Sequence, residues 1–270
     1  MDFLKLGLII LVFIIVSFFL YWQNHDIVTS SYTYKNKKIP KSMNGYKIIH
    51  ISDLHFAEFG RGNKNLLRKI KIKHPDIIVI TGDIIDNSKN INSSLLFAES
   101  ASKIAPVYYV TGNHEYYMSE INRIILIEGL KKRGVNLLCD KTTRLFENCY
   151  LIGLDDQSLE NDTLKALSHP LPADALKIVL AHKPHHISLY AQNEADLVLC
   201  GHAHGGQIRL PFIGGIFSPG QGLFPKYTAG MHRKSNTDMI VSRGLGNSVF
   251  PFRVFNRPEL VCIVFHSTHT

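Results

Sequence analysis

Two patterns of apolar and polar positions follow one another repeatedly along the chain. Short apolar runs rich in β-branched residues are typical of strands buried on both faces, and the stretches between them have helical periodicity. Before Gly206 the pattern predicts strands at 46–52, 76–81, 106–111, 136–140, 143–148, 150–155, 176–181 and 196–201. Helices are predicted at 62–74, 93–105, 119–133 and 185–192.

After Gly206 the helical periodicity disappears. Strands are predicted at 207–211, 238–244 and 260–266, joined by loops rich in glycine and proline. Strands that alternate with helices and are followed by further strands indicate a layered α/β domain.

The N-terminal segment 6–22 has a different pattern, because it is almost wholly apolar and carries no charged side chain. Its length is at the short end of the ~17–25 residues that span a bilayer. Tyr21 and Trp22 at its end suit the interface between membrane and water. A cleaved signal peptide is the alternative, but no A-x-A site follows. We expect an uncleaved, single-pass anchor in the cell membrane. The flanking lysines and the usual signal-anchor arrangement favour opposite orientations, so the side of the membrane on which the remaining chain lies stays open.

This pattern divides the chain into three parts. We expect residues 1–25 to form the membrane anchor and residues 46–270 to form the α/β domain. Residues 26–45 are polar, and we interpret them as a linker, with a strand that enters the domain as the alternative.

The charge balance points to anionic partners. The 270 residues include 30 Lys or Arg and 22 Asp or Glu, a net charge of +8, which favours phosphates, nucleic acid or an anionic membrane surface as partners. No basic tract is interleaved with aromatic residues, which argues against a nucleic-acid partner. The four cysteines form no C-x-x-C pair, so a disulfide framework or a zinc knot is not expected. The oligomeric state is left open.

Five predicted strands end in groups that bind metals or transfer protons. In α/β sheets, ligand sites form beyond the carboxyl ends of the strands, and five such ends in one domain predict a single site. The residues are Asp53 and His55, Asp83 and Asp86, Asn113 and His114, His182, and His202 and His204.

The residue types narrow the chemistry. Carboxylates, imidazoles and an amide suit Mn²⁺, Fe²⁺ or Zn²⁺, and they are too many for one tetrahedral zinc. Two ions bridged by a carboxylate would lower the pKa of a shared water until it becomes a bridging hydroxide, a known arrangement for in-line displacement at phosphorus.

The ordered set D-x-H, G-D-x-x-D, G-N-H-E, an isolated histidine and G-H-x-H resembles the calcineurin-like metallophosphoesterases. The stretches GHAHGGQIRLP and SRGLG are similar to the membrane-associated branch of small bacterial phosphoesterases. The resemblance implies a four-layer αββα sandwich, here preceded by one transmembrane helix.

The resemblance also implies roles for the strand-end residues. One ion would be held by Asp53, His55, Asp83 and His204. The other would be held by Asp83, Asn113, His182 and His202, with Asp83 as the bridge. His114 would protonate the leaving oxygen, and Asp86 would orient His114.

One position departs from the protein-phosphatase branch, in which an arginine follows the aspartate equivalent to Asp86. Asn87 stands here, which argues against a protein phosphatase. Another cation is then needed for the substrate phosphate, and Arg243 is the candidate.

The sequence therefore predicts a dimetal phosphodiesterase or pyrophosphatase that acts on a membrane-associated or lipid-linked phosphodiester. A nuclease or cyclic-nucleotide phosphodiesterase is an alternative enzyme. A metal-bound membrane scaffold without catalysis is the non-enzymatic alternative.

Overall fold

The computed structural model describes residues 3–55, 57–86, 91–159, 162–247 and 250–268. The helices are α1 Phe3–His25, α2 Lys64–Ile72, α3 Ile91–Ser102, α4 Asn113–Tyr117, α5 Glu120–Lys132, α6 Thr163–Ser168 and α7 Ile187–Gln192. The strands are β1 Val28–Asn36, β2 Lys47–Ile51, β3 Ile77–Thr81, β4 Val107–Val110, β5 Val135–Leu137, β6 Lys141–Phe146, β7 Cys149–Gly153, β8 Leu176–Leu180, β9 Leu197–Cys200, β10 Arg209–Leu210, β11 Gly214–Gly215, β12 Phe217–Ser218, β13 Gly222–Leu223, β14 Gly230–Lys234, β15 Thr237–Val241 and β16 Glu259–Ser267.

Two six-stranded sheets form the centre of the domain. The first has the strand order β1-β16-β2-β3-β4-β5, and the second has the order β14-β15-β9-β8-β7-β6. Strands β2 to β5 are mutually parallel, and so are β7, β8, β9 and β15. The short strands β10 to β13 form two small antiparallel pairs.

The central strands are apolar throughout because each lies between two cores. In β3, Ile77 and Val79 face the core between the sheets, whereas Ile78 and Ile80 face the core under α2, α3 and α5. Successive residues of a strand point to opposite faces, so a strand covered on both sides needs apolar residues at every position.

The second sheet repeats this arrangement. In β9, Leu197 and Leu199 face the core between the sheets, and Val198 and Cys200 face the core that contains Leu164 of α6. The order helices, sheet, sheet, helices confirms the four-layer αββα sandwich.

Residues 26–45 contain a structural strand. Strand β1 pairs in parallel with β16 along its whole length. Tyr34 is 2% exposed, packs edge-on against Phe265 with 5.4 Å between ring centroids, and donates a hydrogen bond to the carbonyl of Asp196. The threonines and serines around Tyr34 weaken the apolar pattern, so a linker and a strand could not be told apart from sequence.

Helix α1 extends the predicted apolar segment at both ends, to 23 residues. Its apolar part is not buried in the protein, and its length and composition allow it to cross a membrane. Gln23, in its last turn, is buried.

We expect Tyr34→Ala to destabilise the domain by about 3–5 kcal/mol, the usual cost of deleting a buried aromatic side chain. Lys35→Ala, at the neighbouring exposed position of β1, is the matched control and should change stability by less than about 0.5 kcal/mol. Urea unfolding of the two variants in the same detergent measures the difference. Equal stability of both would mean that residues 26–45 do not contribute to the fold.

Candidate metal centre

The strand-end residues of both sheets meet at one place. Asp53 and His55 follow β2, and Asp83 follows β3, in the first sheet. His182 follows β8 in the second sheet, and His202 and His204 follow β9. The parallel strands of each sheet end at the same edge, and the stacked sheets bring these two edges together.

A first group of donors consists of Asp53, His55, Asp83 and His204, whose ligand atoms lie within 4.8 Å of one another. Nε2 of His204 lies 3.2 Å from Nε2 of His55 and 3.3 Å from Oδ1 of Asp53. All four residues are buried. This is the set that the sequence resemblance assigned to one ion.

A second group consists of Asp83, His182 and His202, again within 4.8 Å. Nε2 of His182 lies 3.2 Å from Oδ2 of Asp83, 3.1 Å from Nδ1 of His202 and 3.1 Å from Oδ1 of Asn113. Asp83 belongs to both groups, as a bridging ligand would. The structure thus brings together all seven predicted ligands, and their binding of ions stays a prediction.

The electrostatics of the two groups suit divalent cations. Burial lowers the pKa of His55 to about 3 and places the pKa values of His202 and His204 well below the usual range. These imidazoles are therefore neutral and offer lone pairs, which is the form that binds metals.

His182 and Asp83 form the exception. Burial lowers the pKa of His182, but the Asp83 carboxylate outweighs burial and raises it to about 10. Burial raises the pKa of Asp83, but His182 and the other nearby imidazoles bring it below its usual range. The carboxylate thus attracts positive charge at the centre of both groups, and a metal ion there would take the place of the His182 proton.

His114 and Asp86 form a pair beside the two groups. Nδ1 of His114 lies 2.6 Å from Oδ1 of Asp86, and Nε2 lies 4.0 Å from Oδ2 of Asp83. The His114 side chain is 17% exposed and that of Asp86 31%, so solvent reaches this side of the site. One ring nitrogen therefore lies beside a carboxylate, and the other faces the shared ligand.

The backbone around the ligands is strained. Five of the seven have left-handed φ angles between +46° and +66°, namely Asp53, His55, Asp83, His202 and His204. Such conformations cost about 1–3 kcal/mol each for residues other than glycine and persist only where the surroundings enforce them.

Two glycines permit the close approach of the loops to the ligands. A Cβ atom on Gly112 would lie 2.2 Å from Oδ1 of Asp83, and one on Gly201 would lie 2.3 Å from Oδ2 of Asp53. Any larger residue at either position would displace a carboxylate.

Sequence reasoning missed the role of Glu115, although the G-N-H-E motif contains it. The buried Glu115 carboxylate accepts hydrogen bonds from the amides of Gly112, Asp83 and Ile84. It therefore ties the loop after β4 to the loop after β3 and fixes the backbone of Asp83.

Two positions bear on the predicted binding of the substrate phosphate, Arg243 and Asn87. Arg243 lies 3.2 Å from Oε1 of the buried Glu259, so phosphate would have to compete with this carboxylate, and the role of Arg243 stays a prediction. Asn87, the departure from the protein-phosphatase branch, lies outside the described residues.

Comparison with known proteins agrees with this site. The sequence profile of the calcineurin-like phosphoesterases matches residues 46–206. The chain is 30% identical to the uncharacterized metallophosphoesterase YkuE of Bacillus subtilis, covering 92% of this chain and 89% of YkuE. It is 29% identical to the phosphodiesterase YaeI of Escherichia coli, covering 81% of each protein.

A relative from zebrafish, Danio rerio, is a transmembrane protein with a metallophosphoesterase domain. It is 29% identical over 84% of this chain and 55% of its own length. The profile match covers more than half of the chain and includes all the predicted ligands. The chain therefore belongs to the calcineurin-like phosphoesterase family and is a hydrolase of phosphoric esters.

Proposed function

We propose that the protein is a phosphodiesterase or pyrophosphatase that binds two divalent ions and acts on a membrane-associated or lipid-linked phosphodiester. The observation that carries the proposal is the pair of donor groups that share Asp83, with the His114–Asp86 pair beside them. The name of the relative YaeI, a phosphodiesterase, supports the diester substrate.

Asp53, His55, Asp83 and His204 would hold one ion, and Asp83, Asn113, His182 and His202 the other. The donor types suit Mn²⁺, Fe²⁺ or Zn²⁺. Bound there, two such ions supply the Lewis acidity that activates water and neutralises charge on the phosphoryl group.

The proton chemistry belongs to His114. Asp86 holds Nδ1, which fixes the tautomer and orientation of the ring. With both ring nitrogens protonated, Nδ1–H would face Asp86 and Nε2–H would face the side of Asp83 where the phosphoryl group would bind. Nε2 would pass its proton to the leaving oxygen as the ester bond breaks, which leaves the ring neutral.

The support for a lipid substrate is an apolar surface beside the metal centre. A cavity of about 200 Å³ begins at Gly206 and Gln207, next to His204, and is lined by Ile208, Ile216, Phe217, Pro219 and Phe250. Beyond it, Phe212, Phe224 and Phe252 are exposed.

This surface reaches the proposed membrane helix. Phe255 packs edge-on against Phe19 of α1, with 5.5 Å between the ring centroids. Val254, the residue before Phe255, forms a β-bridge with Ile208 of the cavity. The cavity and the proposed membrane anchor thus contact neighbouring residues of one segment, and acyl chains would be stable beside these apolar side chains.

The shared carboxylate gives the first test. Asp83→Asn keeps the shape of the side chain but removes the charge that both ions would share, so we expect loss of at least one bound ion and of hydrolysis of an aryl phosphodiester. Metal analysis of the purified variant and a turnover assay check this. Two retained ions with normal turnover would contradict the dimetal assignment.

The second test concerns His114. We expect His114→Ala to lower the rate about 10²–10⁴-fold, the usual contribution of a general acid, while metal content stays near that of the wild type. The loss should shrink for nitrophenyl esters, whose leaving group needs no proton. An equal loss for good and poor leaving groups would remove His114 from this role.

The third test concerns the apolar surface. Phe217→Ser and Phe250→Ser should lower hydrolysis of a phospholipid in vesicles while hydrolysis of a small soluble diester is unchanged. Ile72→Ser is the matched control, because Ile72 is exposed on α2, away from this cavity. The measurement is the ratio of lipid to soluble activity, and a ratio equal to that of the control would count against a lipid substrate.

A further inference from the structure

The last turn of α1 is built into the catalytic domain. Oε1 of the buried Gln23 accepts a hydrogen bond from the amide of Asn256 at 3.2 Å. Oδ1 of Asn24 accepts two more, from the amide of Arg253 at 3.0 Å and from Nδ2 of Asn247 at 2.9 Å. We call Asn247, Arg253 and Asn256 the clamp, because these residues donate the three hydrogen bonds that Gln23 and Asn24 accept.

The clamp in turn holds His204 at two points. Nδ2 of Asn256 donates hydrogen bonds to the carbonyls of His204 at 2.7 Å and Gln207 at 2.9 Å. Arg253 donates through Nη2 to the carbonyl of Gly246, and the same oxygen lies 3.2 Å from Nδ1 of His204. Both the main chain and the ring of His204 are therefore fixed by the clamp.

The members of the clamp also bind one another. Nε of Arg253 donates to Oδ1 of Asn247, and Nη1 donates to the carbonyl of Asn256, each at 3.2 Å. Arg253 is 1% exposed, and a buried cation is stable only with such acceptors. Removal of a hydrogen bond at one clamp residue therefore also affects the position of the other two.

His204 needs this support because its turn is strained. Its φ angle is +46°, and Gly205 and Gly206 after it are also left-handed. The ring places Nε2 between Asp53 and His55, so relaxation of the turn would withdraw one ligand from the first donor group. None of the hydrogen bonds of the clamp reaches a residue of the second donor group.

We propose that Gln23 and Asn24 are positioning residues of the metal centre, which hold His204 in its ligand geometry through the clamp. The inference rests on the proposed ligand role of His204, but not on the identity of the substrate. It implies that the metal centre depends on two residues of the segment 1–25, which the sequence assigns to the membrane anchor.

The test compares Asn24→Leu with Asn24→Asp in the full chain in detergent. Leucine is similar in size but removes both accepted hydrogen bonds, whereas aspartate keeps two acceptors and adds charge near Arg253. Both variants lose the bond from Nδ2 of Asn24 to the Leu20 carbonyl. We expect Asn24→Leu to weaken one of two Mn²⁺ sites about 10–100-fold, the usual effect of losing a residue that supports a ligand. Asn24→Asp should bind both ions as the wild type does.

Asn193→Leu is the matched control. Asn193 caps the end of α7 with the same kind of bond, from its Nδ2 to the Leu189 carbonyl at 2.9 Å, and precedes β9 at the end opposite to His202. This variant should lose a comparable helix-end bond and keep both ions. Titration of Mn²⁺ by calorimetry, with thermal unfolding of each metal-free protein, separates metal affinity from stability.

A double variant tests the route through His204. In a His204→Ala background, Asn24→Leu should cause no further loss of Mn²⁺ affinity, because the side chain on which it acts is absent. An additional loss there would show that Asn24 acts on the metal centre by another route and would overturn the proposal.

The outcomes separate this inference from the proposed function. A wild type without two Mn²⁺ sites overturns both. A wild type with two sites and an Asn24→Leu variant of the same affinity overturns the inference alone. Equal losses in Asn24→Leu and Asn24→Asp overturn the role of the accepted hydrogen bonds.

Discussion

The site depends on a single buried carboxylate. Asp83 is 1% exposed, and imidazoles approach it from strands of both sheets. A buried charge is costly unless it is compensated, so the surrounding structure must deliver both positive charge and hydrogen-bond donors to this point. The amide of His114 donates to Oδ1 of Asp83, and Glu115 fixes the Asp83 main chain. Gly112 leaves room for Oδ1 of Asp83, where a Cβ atom would come within 2.2 Å.

The two stacked sheets explain how segments that are far apart in sequence can place their side chains around Asp83. Each sheet contributes loops from the carboxyl ends of its parallel strands, so one edge supplies Asp53, His55 and Asp83 and the other supplies His182, His202 and His204. The stacking distance of two sheets, about 10 Å, lets side chains from both edges reach ions between them. Neither sheet alone holds a complete ligand set, and formation of the core between the sheets is therefore a condition for the metal centre.

This dependence also explains how much could be predicted from sequence. The central strands, and the candidate ligands that the structure brings together, could be predicted because each strand is a local apolar run and each candidate follows a strand within a few residues. Strand β1 was ambiguous, because an edge strand with serine and threonine lacks that signal. The clamp has no local signal: Asn256 lies 52 positions from His204 and 233 from Gln23, and polar amides at such separations carry no pattern of periodicity. Arg243 is the opposite case. Its charge is evident from the sequence, but its ion pair with Glu259 is evident only from the structure.

In the proposed arrangement, the end of α1 fixes the height of the domain above the bilayer. Trp22 and Tyr21 suit the interface, and Gln23, the next residue, is already bonded to the clamp. Arg257 binds Asp26 and lies over the Trp22 ring at 4.9 Å, which adds a polar contact at the same level. A helix rises about 1.5 Å per residue, so the clamp begins within one residue of the expected interface. No flexible tether therefore separates the interface from the loop that carries His204. A tethered enzyme would sample many distances from its membrane, whereas this geometry holds the metal centre and its apolar surface at one height. A phosphodiester at the bilayer surface would then meet the site without leaving the lipid phase.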